Sequence, residues 1–164
     1  MVPSPTVPRS PIRVCFVCLG NICRSPTAAA VMEHLVAQAG LAGHVIVESA
    51  GTSGWHIGEG PDPRTAAEAR RRGVAMRHTA QQFTASDFAR FDLVLAMDGD
   101  NRAALHDLAR SPEAAAKIRL LRSFDPASAP EAAVPDPYHG GRDGFRDVFD
   151  LVERACRGLL ASLT

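Results

Sequence analysis

The chain has 164 residues, 46% of them apolar and 22% charged, with a formal net charge of zero. That length suits one globular domain with a real core, and the charge balance gives no pull toward nucleic acid or an anionic membrane. No run approaches the length of a transmembrane helix, so the cytoplasm is the default location and neither nucleic acid nor membrane is expected as a partner.

Residues 1–11 carry prolines at positions 3, 5, 8 and 11 and no apolar stretch. They read as a disordered extension rather than a signal peptide, ahead of a single domain over 12–164. Residues 12–17 are near-continuously apolar, the pattern of a buried parallel strand. A helix is expected over 26–39, with Val31, Met32, Leu35, Val36 and Ala39 as its apolar stripe. The second strand spans 45–50, and a polar, glycine-rich loop follows with Trp55 at its tip. Pro63 near the start and Gly73 past the end bracket the next helix, over 63–72. Thr84 or Ser86 can cap a short helix through Phe88. Strands at 93–97 and 118–121 are separated by helical stretches at 101–109 and 113–116. A Pro/Asp/Ser loop over 123–141 leads to an amphipathic helix over 143–163. Strands alternating with helices define an α/β domain with a parallel sheet covered on both faces.

The most informative segment leaves the first strand as Cys18-Leu19-Gly20-Asn21-Ile22-Cys23-Arg24-Ser25-Pro26. Ligands on such sheets bind beyond the carboxyl ends of strands, which is where this loop falls. Gly20 and Asn21 tolerate positive φ, so successive N–H groups can turn inward as an anion nest. The helix N-terminus adds favourable potential for an anion. Arg24 can grip two phosphate oxygens in its planar fork. The same surroundings favour a Cys18 thiolate, and Ser25 is in place to donate to it.

The remaining cysteines are Cys15, Cys23 and Cys156. Cys15-x2-Cys18 lacks the second pair that a zinc site needs, and Cys15 lies inside the strand, so it reads as a small buried apolar residue. Cys23 is either a packed thiol or the partner of a Cys18–Cys23 disulfide formed under oxidation.

The loop resembles the signature of the low-molecular-weight protein tyrosine phosphatases. The likeness continues through Glu48-Ser49-Ala50-Gly51-Thr52, Trp55, His78-Thr79-Ala80, Met97-Asp98 and Asp136-Pro137-Tyr138. It implies a four-stranded parallel sheet and hydrolysis of protein phosphotyrosine through a phosphocysteine, with no metal or cofactor. Cys18 is then the nucleophile, Arg24 the phosphate clamp and Asp136 the general acid. Leu19, Gly20, Asn21, Ile22, Cys23 and Ser25 complete the phosphate loop. Asn21, Ser49 and His78 resemble the network that holds that loop, and Glu48 stands where many members carry an acidic residue that orients His78. Asp136-Pro137-Tyr138-His139 departs from the pattern, with histidine where many members have a second tyrosine.

In chemical terms, the tyrosine leaving group is a phenolate with a pKa of about 10, so an acid on a separate loop is valuable. Pro137 stiffens the loop of Asp136, and Val134 and Tyr138 are expected to desolvate it. Asp125, in a similar Asp-Pro pair, is the rival acid. Trp55 and Tyr138 lie in polar loops, suited to wall a slot for a phenyl phosphate. The expected partners are tyrosine-phosphorylated proteins, met by a monomeric enzyme. Two alternatives remain at this stage. One is a protein-arginine phosphatase, whose loop resembles this one with threonine in place of Ile22. The other is a non-catalytic phosphate-binding module.

Overall fold

Alternation along the first strand, β1 (Ile12–Cys18), sorts its side chains into two cores. Val14, Phe16 and Cys18 face one cluster, Cys15 and Val17 the other. The structure, a computed structural model, describes residues 10–164. Most of the expected proline-bearing extension therefore lies outside the described residues, which include only Ser10 and Pro11 of it.

Strands β2 (Val45–Gly51), β3 (Leu93–Ala96) and β4 (Ile118–Leu120) complete a parallel sheet in the order β2-β1-β3-β4. Helices α1 (Arg24–Gln38) and α5 (Arg142–Leu163) cover the first core, where Met32, Leu35, Phe149, Val152 and Leu159 meet β1. Helix α2 (Pro63–Arg71) packs on α5. Helices α3 (Gly99–Leu108) and α4 (Pro112–Ala116) lie toward β4. The second core is built from Phe83, Phe88, Phe91, Leu105 and Leu120, with a 3₁₀ turn over Ala85–Arg90. The chain moves from β1 to one side of the sheet and then crosses to the other, so the loop after β1 lies at a topological switch point.

Helix α1 begins at Arg24, two residues before its expected start, which puts Arg24 and Ser25 in the first helical turn. Pro26 is tolerated there because an N–H in the first turn has no intrahelical acceptor. The buried stripe of α1 ends at Val36, and Ala39 is an exposed cap. Helix α3 likewise starts early, at Gly99, because the Asp98 carboxylate accepts from Asn101 N at 2.7 Å. Leu121 leaves β4 to open a second 3₁₀ turn, Leu121–Phe124.

Glycine 158 sits inside α5, where glycine is costly. A Cβ there would lie 1.8 Å from the Phe124 carbonyl oxygen, so the close approach of α5 to that turn demands it. Gly51 ends β2 for a similar reason: a Cβ would stand 2.7 Å from the Leu19 carbonyl oxygen.

Candidate active site

The loop between β1 and α1 has its carbonyls and its N–H groups sorted by direction. Thr52 N donates to Cys18 O at 2.8 Å, Ser53 N to Leu19 O at 3.0 Å and Asp62 N to Ile22 O at 2.9 Å. His78 Nε2 donates to Asn21 O at 2.5 Å, and Thr27 holds Cys23 O. Among the described residues no protein group accepts from the N–H groups of Leu19, Gly20, Ile22, Cys23 or Arg24. The surrounding protein thus ties the carbonyls outward and leaves a ring of donors around the Cys18 side. Asn21 N closes the ring by pointing at Cys18 Sγ, 3.3 Å away.

Asn21 makes this geometry possible. Its φ is +58°, a left-handed conformation that asparagine tolerates better than most residues. Its side chain is fully buried, donates to Ser25 Oγ (2.8 Å) and Ser49 Oγ (3.0 Å), and accepts from Gln81 N (3.0 Å). Ser25 Oγ is 3.0 Å from Cys18 Sγ. Asn21, Ser25, Ser49 and His78 therefore form one connected support behind Cys18. Burial pushes the half-buried His78 below the ordinary imidazole range, against the opposing pull of its bond to Asn21 O.

Glu48 departs from expectation. Strand alternation turns Val47 and Ser49 toward α1 and Glu48 toward the opposite face. There both carboxylate oxygens accept from Arg90 Nη2, at 2.8 and 2.7 Å. Among the described residues Glu48 makes no hydrogen bond to His78, so it does not orient that ring.

Arg24 is only 3% exposed and needs a compensating charge. Asp98, at the carboxyl end of β3, supplies it at 2.6 Å, and Val134 O accepts a further bond at 3.1 Å. Asp98 thus serves both as the α3 cap and as the partner that fixes the guanidinium. The rule that sites lie at strand ends points at this position, and Met97-Asp98 carries part of the resemblance, but neither assigns Asp98 the role of holding Arg24.

Asp136 Oδ2 stands 3.6 Å from Arg24 Nη2, facing the loop. Its Oδ1 accepts from Tyr138 N at 3.0 Å. Its side chain is 45% exposed, so Val134 and Tyr138 do not desolvate it. Val134 is instead fully buried, donating to Met97 O at 2.7 Å. Asp125 is no rival. It is buried under its own turn, accepting from Ala127 N and Ser128 Oγ, with Arg154 beside it.

A cavity of about 270 Å³ opens over the loop. Its floor includes Cys18, Gly20, Ile22 and Arg24, and its walls include Asp136, Trp55 and Tyr138. Trp55 is 76% exposed, and Leu19, Ile57 and Tyr138 are the other exposed large apolar residues among the described ones. His139 lies edge-on to the Tyr138 ring at 5.0 Å and also lines the cavity. His56, unremarked in the sequence, sits against Gly20 and bonds Glu59 at 2.6 Å.

Cys15, Cys23 and Cys156 are buried free thiols. Burial, reinforced by nearby Asp62, pushes Cys23 up to about 12. Cys15 and Cys156 are also raised by burial. Among the described residues no group of three or more His, Cys, Asp or Glu side chains could hold a metal ion, and no helix is long and apolar enough to cross a membrane.

A cysteine within a donor ring at the end of a parallel strand, with an arginine in the same loop and an aspartate facing it, is an arrangement suited to hydrolysing a phosphate ester. The family model for low molecular weight phosphotyrosine protein phosphatases matches residues 13–164, and the chain belongs to that family of hydrolases. It is 55% identical over 152 residues to a low molecular weight protein-tyrosine-phosphatase of Streptomyces coelicolor, covering 92% of this chain and 93% of the relative. The crystal structure of YfkJ from Bacillus subtilis superimposes with a TM-score of 0.88 at 39% identity, covering 94% and 96% of the two chains. A Drosophila arginine phosphatase structure gives a TM-score of 0.86 at 33% identity, covering 93% and 98%.

Proposed function

We propose that this chain hydrolyses phosphotyrosine in proteins with Cys18 as nucleophile, Arg24 as phosphate clamp and Asp136 as general acid. The observation that carries the reading is the loop whose carbonyls are tied to the protein while its N–H groups surround Cys18. Such preorganised donors stabilise the charge on the equatorial oxygens during in-line transfer. The Cys18 thiolate attacks phosphorus and the aryl P–O bond breaks. Asp136 gives its proton to the departing phenolate. In the second step the Asp136 carboxylate takes a proton from water, whose oxygen attacks the phosphocysteine. The S–P bond breaks, and inorganic phosphate and the thiolate are released. Ser25 Oγ, 3.0 Å from the sulfur, supports the thiolate as it leaves. Leu19, Gly20, Ile22 and Cys23 contribute backbone donors. Trp55 and Tyr138 flank the phenyl ring, and Ser49 and His78 hold the loop.

The arginine-phosphatase reading draws on the likeness to the Drosophila enzyme. Ile22 in the cavity floor and the aromatic walls favour an aryl ester over phosphoarginine. Four free, buried cysteines suit a reducing compartment, and we propose cytoplasmic action as a monomer on tyrosine-phosphorylated proteins.

The test is hydrolysis of phosphotyrosine peptide, phosphoarginine peptide and nitrophenyl phosphate in the presence of EDTA. Cys18→Ser is expected to be inactive, and Asp136→Ala to lose far more kcat on phosphotyrosine than on the nitrophenyl ester. Trp55→Ala is expected to lower kcat/KM on phosphotyrosine peptide. Activity surviving in Cys18→Ser would overturn the mechanism, and faster turnover of phosphoarginine would overturn the substrate class.

A further inference from the structure

Asp136 is carried on an irregular segment, and its carboxylate follows the backbone of Tyr138, whose N–H holds Oδ1 at 3.0 Å. What fixes Tyr138 therefore aims the carboxylate. The Tyr138 carbonyl accepts from Arg64 Nη2 at 2.9 Å, and Arg64 Nη1 reaches Gly140 O at 3.5 Å. The same guanidinium is held by Asp62, through Nε at 3.1 Å and Nη2 at 3.0 Å. It also lies 4.6 Å from the centre of the Phe145 ring in α5 and 5.7 Å from that of Tyr138. Asp62 is itself anchored to the phosphate loop, since its N–H donates to Ile22 O at 2.9 Å. Burial works against the ionised Asp62, but the bonds from Arg64 and neighbouring N–H groups hold its carboxyl below the usual range. One guanidinium thus links the loop bearing the nucleophile to the segment bearing the acid. Arg64 lies behind the cavity wall and is not among its lining residues.

We propose that Arg64 is a positioning residue for the general acid, setting the height of the Asp136 carboxyl over the phosphate loop. The proposal rests on the acid role of Asp136 given above. Only a planar fork serves here: it bonds a carboxylate and a backbone carbonyl in its own plane while stacking on an aromatic face. A lysine ammonium retains the charge without that geometry.

The experiment compares Arg64→Met, Arg64→Lys, Asp136→Asn and the Arg64→Met/Asp136→Asn pair on phosphotyrosine and nitrophenyl phosphate, with thermal melts of each. Arg64→Met is expected to lose at least tenfold more kcat on phosphotyrosine, whose leaving group needs a proton, than on the nitrophenyl ester. Arg64→Lys is expected to recover less than half of that loss. In the Asp136→Asn background, Arg64→Met should add less than threefold, because the group it aims is gone. Equal losses on both esters, or an undiminished loss in the Asp136→Asn background, would overturn the proposal. So would the absence of a native melting transition in both Arg64 variants, which would assign Arg64 to stability alone. If Asp136→Asn itself shows no leaving-group-dependent loss, the acid assignment fails instead.

Discussion

Asn21→Ala is the most exacting probe of the support beneath the phosphate loop. The substitution deletes the bonds to Ser25 Oγ, Ser49 Oγ and Gln81 N, all made by a side chain with no solvent exposure. Each such bond is worth about 1 kcal/mol net, more where a buried partner is left unsatisfied. Alanine at a φ of +58° costs about 1 kcal/mol further, since the left-handed region crowds Cβ against the carbonyl. The expected loss is therefore about 4 kcal/mol, a large part of a domain stability of about 5–15 kcal/mol. Asn21→Gly removes the same bonds but not the backbone freedom, so it should be milder by about 1 kcal/mol. Urea unfolding followed by far-UV circular dichroism suits the measurement, because the single tryptophan is too exposed to report on the core. With a slope of about 2 kcal/mol/M the midpoint of Asn21→Ala should fall by about 2 M. A loss below about 1 kcal/mol, or equal losses for alanine and glycine, would refute this reading of the network.

Gly158→Ala gains about 1 kcal/mol of helix propensity but drives a methyl group into the Phe124 carbonyl. Overpacking of this kind costs about 1–3 kcal/mol or more, so the net effect should be a lower Tm, and a rise would disprove the close approach. His78 titrates below its unfolded value, so the unfolded chain takes up the proton first. Its contribution to stability is present above a pH of about 6.5 and falls away as the pH drops through the lowered native pKa. The difference in urea midpoint between wild type and His78→Gln should therefore shrink from pH 7.5 to 5.5, and a constant difference would contradict the assignment.

What could be read from the sequence was local. The strand, the Gly20-Asn21 turn and the following helix are contiguous, so hydrophobic pattern and turn chemistry fixed Cys18, Arg24 and the donor ring together. The resemblance carried onto Glu48 the role of orienting His78, but strand alternation sends its carboxylate to Arg90 instead. The partnerships of Asp98, Asp62 and Arg64 were hidden for a different reason. Asp98 meets Arg24 across 74 positions, and Arg64 meets Tyr138 across another 74. Nothing local marks such pairs beyond an Asp-Pro start for α2 and a strand end for Asp98.

The two halves of the site are held to different degrees, and that difference bears on catalysis. The phosphate loop is fixed through its carbonyls, through Asn21 and through the Arg24–Asp98 pair, with ties from the end of β2, the 78–81 segment and the end of β3. Its strain at Asn21 is sustained because so many partners determine one conformation. The segment leading to Asp136 is tied through Glu131 to Arg102, through Ala133 O to Arg122 and at Val134, whereas the backbone past Asp136 takes its ties from outside through Arg64, at Tyr138 and Gly140. On the proposed mechanism, phosphate binding and nucleophilic attack thus rest on the loop with the redundant ties. Proton transfer, on the same mechanism, rests on a carboxylate whose following backbone is hydrogen-bonded from outside the segment, among the described residues, by Arg64.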